Sequence, residues 1–259
     1  WLFFGFVGII NTIRETCRNG LGEDRHMYGY DSRVRVSEVD ENRKMTLNAV
    51  LNYFQDCSSF HSEDLGVGAV FLENRNRMWV LSSWKIVIRR YPEMTEQIRV
   101  ETWPYEFSKI TGRRNFRMLD GQGEVVAWAD TLWVYMDTVR MRPCKLEKDV
   151  VDAYTMEPKL DMEYEDDHIQ IPEELEKKES FPIHSYHLDV NHHVNNGQYV
   201  QMAAEYLPED FEIHQMRAEY KKSAVLGDVI YPGVKVSSDG VTVVLGDQNE
   251  KPYAVIEFR

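Results

Sequence analysis

The chain contains two copies of one short motif, and this internal repeat constrains the fold more than any other feature of the sequence. The copies span residues 39–46 (VDENRKMT) and residues 188–195 (LDVNHHVN). Each has an apolar residue, Asp, any residue, Asn, two further residues, an apolar residue and finally Thr or Asn. A segment with helical spacing of apolar residues follows each copy, so the sequence predicts one structural unit built twice.

Each copy of the motif is expected to start a helix. One face of the first helix carries Leu47, Val50, Leu51 and Phe54. One face of the second carries Tyr199, Val200, Ala203 and Leu207. Thr46 is a natural N-cap of the first helix, which is expected to end near Gly66. Asn195 or Asn196 caps the second helix, and Pro208 ends it.

Strand patterns rich in β-branched and aromatic residues follow each helix. Those of the first unit span residues 79–88, 98–103, 113–119 and 125–135. Those of the second span residues 215–221, 229–236, 241–245 and 253–258. Turn sequences such as Asp120-Gly121-Gln122-Gly123 separate them. A helix followed by an antiparallel run of strands, repeated once, predicts an α+β architecture.

The repeat also suggests a division of the chain. Residues 27–150 form the first unit, residues 151–180 an acidic linker, and residues 181–259 the second unit. Within the linker, residues 172–176 (PEELE) have the pattern of a helix start. Residues 1–26 begin with the apolar run WLFFGFVGII, which is too short to cross a bilayer. We interpret them as upstream non-native sequence or as a peripheral arm.

The composition excludes several classes of protein. Hydrophobic residues make up 43% and charged residues 28%, which is typical of a globular protein. The net charge of −13 argues against nucleic-acid binding, and no stable membrane insertion is expected. Cys17, Cys57 and Cys144 are too few and too widely spaced for a disulfide framework or a zinc site. A reducing, cytoplasmic location fits these observations best.

The two copies differ at one position that matters for chemistry. The second has His193 where the first has Lys44. Histidine exchanges a proton near neutral pH. If the segment is extended, Asp189, Asn191 and His193 point to the same side and converge on one pocket. Two alternatives stay open at this point: Asp-x-Asn is often a turn or a helix cap, and a histidine is often purely structural.

The neighbouring features add one supporting observation and one exclusion. Free amides at the start of the second helix are suited to stabilise the oxyanion of an acyl-transfer reaction. The spacing of His187, His192 and His193 matches no standard zinc motif, so no metal site is expected.

Residues 188–196 (LDVNHHVNN) resemble the Leu-Asp-x-Asn-x-His-Val-Asn-Asn signature of the acyl-acyl carrier protein (acyl-ACP) thioesterases of plants and bacteria. Further short matches follow the order of that family. They are residues 100–103 (VETW), 113–114 (RR), 120–121 (DG) and 133–137 (WVYMD), followed by Arg140. The resemblance covers roughly residues 28–259.

The resemblance implies a tandem, or double, hotdog fold, in which a curved antiparallel sheet wraps each long helix. It implies hydrolysis of fatty acyl-ACP to a free fatty acid and holo-ACP, which terminates fatty acid elongation. Catalysis is expected from the second domain and acyl-chain selection mainly from the first. No cofactor is expected, and the expected partner is the acyl carrier protein.

The chain departs from the plant enzymes at one site. Those enzymes carry a Glu-Cys pair where this chain has Ser223 and Ala224, so a cysteine nucleophile is excluded there. We therefore expect a water molecule activated by His193 and Asp189 and positioned by Asn191. Ser223 and Glu219 are supporting candidates. Candidates for the acyl tunnel are Phe54, Trp79, Leu81 and Trp133, each of which also fits an ordinary core.

The carrier protein is acidic, so docking to this acidic chain calls for a local basic patch. The pairs Arg89-Arg90, Arg113-Arg114 and Lys221-Lys222 are the candidates. Two other functions remain open: hydrolysis of acyl-CoA, and a non-catalytic acyl-binding regulator on the same scaffold. A homodimer also remains open.

Overall fold

The structure is a computed structural model that describes residues 27–259, so the interpretation of residues 1–26 lies outside the described residues. The helices are α1 (Leu47–Asp64), α2 (Ala69–Glu73), α3 (Lys148–Asp152) and α4 (Asn196–Ala204). The strands are β1 (Tyr28–Arg33), β2 (Arg77–Ile88), β3 (Gln97–Phe107), β4 (Thr111–Asp120), β5 (Val125–Asp137), β6 (Arg142–Pro143), β7 (Glu176–Lys177), β8 (Phe181–Pro182), β9 (Gln215–Tyr220), β10 (Val229–Ser237), β11 (Gly240–Gly246) and β12 (Pro252–Phe258).

Within the described residues, the strands form one antiparallel sheet that continues through both repeats. Its order is β1-β3-β4-β5-β2-β9-β12-β11-β10-β7, while β6 pairs with β5 and β8 pairs with β10. Strands β2 and β9 join the two halves, in a register that runs from Ser83 opposite Glu219 to Val87 opposite Gln215. The molecule therefore has a single main core, formed between the sheet and the helices α1 and α4.

The helix starts follow the sequence prediction. The Thr46 hydroxyl accepts a hydrogen bond from the Ala49 N–H at 3.2 Å, and the Asn195 side chain accepts one from the Gly197 N–H at 2.8 Å. Helix α4 is shorter than predicted: it ends at Ala204 and does not include Leu207. The Leu207 N–H bonds the Ala204 carbonyl three residues back, which tightens the chain into a 3₁₀-type turn.

The predicted α+β double hotdog is confirmed, since each repeat contributes one central helix and a block of antiparallel strands to the shared sheet. The helix start predicted at Pro172 is wrong. Residues 172–175 have no helix, and Glu176–Lys177 forms strand β7 against Gly233 and Val234. Leu175 packs against Gly233 and a small apolar cluster, and this burial overrides a weak local helix preference.

Part of the acidic segment between the repeats lies across the sheet. We call residues 163–169 the strap. Ile169 is buried against β11 and β12. The Glu165 carboxylate pairs with Lys85 of β2 at 2.7 Å and with Arg217 of β9 at 3.2 Å. The strap crosses the sheet where the two repeats meet and neutralises cations on its outer face.

Candidate active site

The second copy of the motif folds as a tight turn. One oxygen of the Asp189 carboxylate accepts hydrogen bonds from the backbone N–H groups of Asn191 at 2.8 Å and His193 at 3.1 Å. The Asp189 N–H donates to the His193 carbonyl at 2.7 Å, and His192 has a φ of 60°. The premise of an extended segment is therefore wrong, because Asp, with its short polar side chain, stabilises a local turn here.

The first copy forms the same turn. The Asp40 carboxylate accepts from the N–H groups of Asn42 at 2.9 Å and Lys44 at 3.0 Å, and Arg43 has a φ of 60°. Asp and Asn at these two positions thus form the same turn whether or not a histidine follows. The chemical difference between the copies is concentrated at Lys44 and His193.

The structure brings Ser223 and Ala224 to the His193 segment. His193 pairs with Val225 in an antiparallel bridge, and the Val194 N–H donates to the Ala224 carbonyl at 2.9 Å. That register places the exposed Ser223 opposite Asn195, the cap of helix α4. Ala224 is fully buried and offers no nucleophile.

Two tyrosines that the sequence analysis did not single out, the buried Tyr199 and the half-buried Tyr220, fix the start of α4. The Tyr199 hydroxyl accepts a hydrogen bond from the Ala224 N–H at 2.8 Å, and the Tyr220 hydroxyl donates to the Asn196 carbonyl at 3.0 Å. Burial raises the pKa of Tyr199 to about 12, so the phenol stays neutral. Residue spacing gives no signal for these contacts, because each joins segments that are distant in the sequence.

Three groups at the turn and at the start of α4 remain available for chemistry. Asn191 is exposed and His193 is half-buried. Within residues 27–259, neither the Asn191 amide group nor the His193 ring makes a hydrogen bond to the protein. The N–H of Asn196, the first amide of α4, is likewise without a protein partner in this range. Such groups can hydrogen-bond a substrate or a water molecule.

Glu219 does not belong to this group of residues. Ala218 and Tyr220 face the helices, so Glu219 lies on the opposite face of β9, beneath the strap. Its carboxylate accepts from the Ile169 N–H at 3.0 Å and from Lys221. Burial alone would raise the Glu219 pKa, but the bonds from Lys221 and Ile169 outweigh it and lower that pKa. The structure therefore does not bring Glu219 together with the His193 turn, and its role as a catalytic support stays a prediction.

The four acyl-tunnel candidates do not line a common cavity. Phe54 is fully buried, with its ring centroid 5.3 Å from that of Phe116. Leu81 and Trp133 belong to the same core, whereas Trp79 packs in a separate cluster 4.9 Å from Tyr135. In this structure all four act as packing residues, and their role in binding an acyl chain stays a prediction.

A groove of about 1270 Å³ lies beside the first copy of the turn, not beside the second. Its walls include Lys44, Arg89 and residues 209–214 of the second repeat. Arg90 also lines it, but its guanidinium is paired with Glu96 at 2.6 Å and with Asp120 at 2.7 Å. Carboxylates outnumber the remaining cations along its walls, so it does not suit an acidic partner.

The predicted basic docking patch is wrong, because most of its cations have partners within the protein. Arg113 pairs with Asp130 and Asp167, Lys221 with Glu219, and Lys222 with Asp247. Arg114 is buried, with its guanidinium 3.0 Å from the Nδ1 atom of His61. Intramolecular pairing of this kind depends on strand register, which the sequence alone does not reveal.

Between residues 27 and 259, no cluster of three or more His, Cys, Asp or Glu side chains is arranged to hold a metal ion. No helix in the same range is both long enough and apolar enough to cross a membrane.

Two family models match the chain in the order of its repeats. The model described as "Acyl-ACP thioesterase N-terminal domain" matches residues 25–154, and "Acyl-ACP thioesterase C-terminal domain" matches residues 170–252. The chain belongs to the acyl-ACP thioesterase family. This confirms the resemblance that the LDVNHHVNN signature and its accompanying motifs indicated.

Curated relatives include plant proteins of this family. The chain is 27% identical over 242 residues to oleoyl-acyl carrier protein thioesterase 1 of Arabidopsis thaliana, a match that covers 85% of this chain and 67% of the relative. It is 26% identical over 221 residues to a dodecanoyl-[acyl-carrier-protein] hydrolase of Cinnamomum camphora, covering 79% and 58%. The chain thus spans about two thirds of the length of these relatives or less.

Solved structures show the same fold. An acyl-ACP thioesterase from Bacteroides thetaiotaomicron superimposes with a TM-score of 0.83 at 22% identity, over 90% of this chain and 96% of the other. The 12:0-ACP thioesterase from Umbellularia californica gives a TM-score of 0.78 at 22% identity, with the same coverage. These similarities support the double hotdog architecture.

Proposed function

We propose that the chain hydrolyses the thioester of fatty acyl-ACP, which releases a free fatty acid and holo-ACP and ends elongation. Family membership supports this reaction class. The observation that supports assigning it to the second repeat is the contrast between two matching turns, of which the second alone presents an imidazole, His193, beside a helix start. We also propose a cytoplasmic location and the division into units at residues 27–150, 151–180 and 181–259.

In the proposed mechanism, the His193 imidazole takes a proton from a water molecule that attacks the thioester carbonyl carbon. The resulting oxyanion accepts a hydrogen bond from the free Asn196 N–H at the start of α4. The tetrahedral intermediate then expels the carrier thiolate, which receives the proton from the His193 imidazolium. A thioester is a reactive acyl donor, so water can attack it directly. The reaction therefore needs no nucleophilic side chain at position 224, where this chain has a buried alanine.

The neighbouring polar residues have positioning roles in this proposal. The exposed Asn191 amide orients the carbonyl or the water, and Ser223, opposite Asn195, orients the water from the other side. Asp189 holds the backbone of His193 through the turn. Its carboxylate bonds the His193 N–H and not the ring, so we assign the proton transfer to His193 and the geometry to Asp189.

The decisive experiment measures thiol release from a panel of acyl-ACPs of different chain length. We expect His193→Ala to lower kcat by about 10²- to 10⁴-fold, the range for loss of a general base. Lys44→Ala, at the matching position of the first turn, is the control and leaves kcat within about twofold. If His193→Ala retains near-wild-type turnover on every chain length, the assignment is wrong.

A second variant separates charge from geometry at Asp189. Asn keeps an oxygen that accepts both backbone hydrogen bonds, whereas Ala removes it. We expect Asp189→Asn to retain turnover within about tenfold and Asp189→Ala to lose about as much as His193→Ala. A comparably severe loss in Asp189→Asn would show that the carboxylate charge itself takes part in activating the water.

A further inference from the structure

Exposed apolar side chains surround the His193 turn. They are Tyr186, Val190, Val225 and Leu226, of which Val190 is 94% exposed, Tyr186 73% and Leu226 60%. We call these four residues the apolar rim. Singly exposed apolar residues are ordinary, but four of them on segments that pair beside a proposed site indicate a surface that contacts a partner.

The backbone of the second repeat holds the rim together. The bridge between His193 and Val225 aligns the two turns, and its register places Leu226 opposite His192 at the tip of the first turn. The Val225 N–H donates to the Asp228 carboxylate at 3.0 Å, which closes the second turn. The Ile183 N–H donates to the Asp228 carbonyl at 2.8 Å and ties in the segment that carries Tyr186. The rim is thus a built surface.

The first repeat has no such surface at the matching positions. Where the rim has Tyr186, Val190, Val225 and Leu226, the first repeat has Ser37, Glu41, Glu93 and Met94. Its turns carry the same backbone hydrogen bonds, including the Met45 N–H to the Pro92 carbonyl at 2.8 Å. Three of these four residues are polar and only Met94 is apolar, so the fold tolerates polar residues at most of these positions. The apolar character of the rim is specific to the repeat that carries His193.

The rim is also poor in charge within an acidic molecule. The two carboxylates of its turns, Asp189 and Asp228, bond backbone N–H groups. Lys221 and Lys222, which precede the second turn, are paired with Glu219 and Asp247. An acidic protein is repelled by this chain as a whole, but Val190 and Val225 in place of two glutamates lower that repulsion next to His193.

We propose that the apolar rim is the docking surface for the protein part of the acyl carrier. This inference rests on the proposed function and names the surface through which that substrate is recognised. The rim lies beside His193. A carrier protein that delivers its thioester to His193 across the turn therefore contacts the rim. A nucleotide carrier such as CoA calls instead for free cations near its phosphates, and the paired lysines beside the rim do not provide them.

The test compares one acyl group on two carriers, acyl-ACP and acyl-pantetheine, which has no protein part. We expect Val190→Glu and Leu226→Glu each to raise the KM for acyl-ACP about tenfold, because an interface loses apolar contact and gains repulsion. Turnover of acyl-pantetheine is expected to stay within about twofold. Val139→Glu, at a valine between β5 and β6 that is 73% exposed, is the matched control and leaves the kinetics on both substrates unaffected.

Binding is measured as well, so that the docking surface is tested independently of hydrolysis. Titration of fluorescently labelled acyl-ACP should show a Kd about tenfold higher for Val190→Glu than for the wild type and Val139→Glu. Equal losses on both substrates, or an unchanged Kd, would overturn the docking surface. Sedimentation gives the other outcome: a wild-type dimer that Val190→Glu dissociates would make the rim a contact between two copies of this chain. Binding without hydrolysis of any thioester would overturn the proposed function alone.

Discussion

A single residue in the core, His61, carries a pH dependence that the sequence did not indicate. It lies at 7% exposure in α1, stacks on Tyr28 with ring centroids 4.8 Å apart, and has Nδ1 3.0 Å from the Arg114 guanidinium. Burial and the neighbouring Arg114 lower the His61 pKa from 6.5 to about 3. The imidazole therefore stays neutral and accepts the hydrogen bond from a buried cation.

This shift makes stability fall in acid. The folded pKa of His61 lies below its unfolded value, so the contribution is complete above pH 6.5 and is lost as the pH falls towards 3. His61→Asn keeps an acceptor near the Nδ1 position but does not titrate. Between pH 7 and pH 5, we expect the free energy of unfolding of this variant to fall by about 2 kcal/mol less than that of the wild type. Urea unfolding of both proteins across this range measures the difference. Parallel pH profiles would contradict it.

At the scale of elements, the starts of α1 and α4 have the same cap geometry but differ in the side chain beside the cap, which is Lys44 before α1 and His193 before α4. Both begin at a capping side chain, Thr46 for α1 and Asn195 for α4, directly after the Asp-x-Asn turn. The side chain of Asn48 on α1 approaches α4 at Gly197, where a Cβ would lie 2.9 Å from its Oδ1 atom. Glycine at position 197 thus allows the two helices to pack closely beside the proposed site.

The caps provide a matched pair of variants. Thr46→Ala and Asn195→Ala each remove one hydrogen bond to the first turn of a helix, which costs about 1 kcal/mol of stability. Only Asn195→Ala is expected to lower turnover of acyl-ACP as well, by about tenfold, because the Asn196 N–H that follows it bonds the oxyanion. Thermal unfolding and thiol release are measured on both. Equal effects on turnover would remove the start of α4 from the mechanism.

At the scale of the whole molecule, the strap and the β2–β9 pairing join the two repeats, and we expect them to unfold as one cooperative unit. Glu165 of the strap bonds Lys85 and Arg217, whose side chains are 8% and 10% exposed, and also Arg259 at the chain end. These cations come from both repeats. Loss of the carboxylate leaves the buried Lys85 without an ionic partner, whereas Arg217 and Arg259 keep Glu257.

We expect Glu165→Ala to lower the free energy of unfolding by about 2–3 kcal/mol, with a single transition. Between residues 27 and 259, all five tryptophans lie in the first repeat, so their fluorescence follows that half, while far-UV circular dichroism follows both. The two signals should change together in the wild type and in the variant. Glu250→Ala, which breaks an exposed pair with Lys177, is the control and should leave the transition unchanged. Separate transitions would contradict one cooperative unit.

The sequence by itself determined the duplication, the two helix caps and nearly all of the long strands. These features depend on local pattern: an Asp-x-Asn turn, a capping side chain and alternating β-branched residues act within a few positions of one another. Because the motif is local, its two copies can be aligned directly, and the alignment shows His193 in the second copy where the first has Lys44. Reliance on local pattern also explains the error at Pro172, where a local helix preference was outweighed by burial of Leu175 on the sheet.

Only the tertiary structure decided what the motif's residues do. The register of distant segments placed Ala224 and Ser223 against the His193 turn, assigned Glu219 to the far face of β9, and paired Arg113 with carboxylates. These outcomes depend on which strands meet and on which face each side chain lies, and a shift by one residue would reverse them. Sequence spacing within one segment carries no record of such pairings.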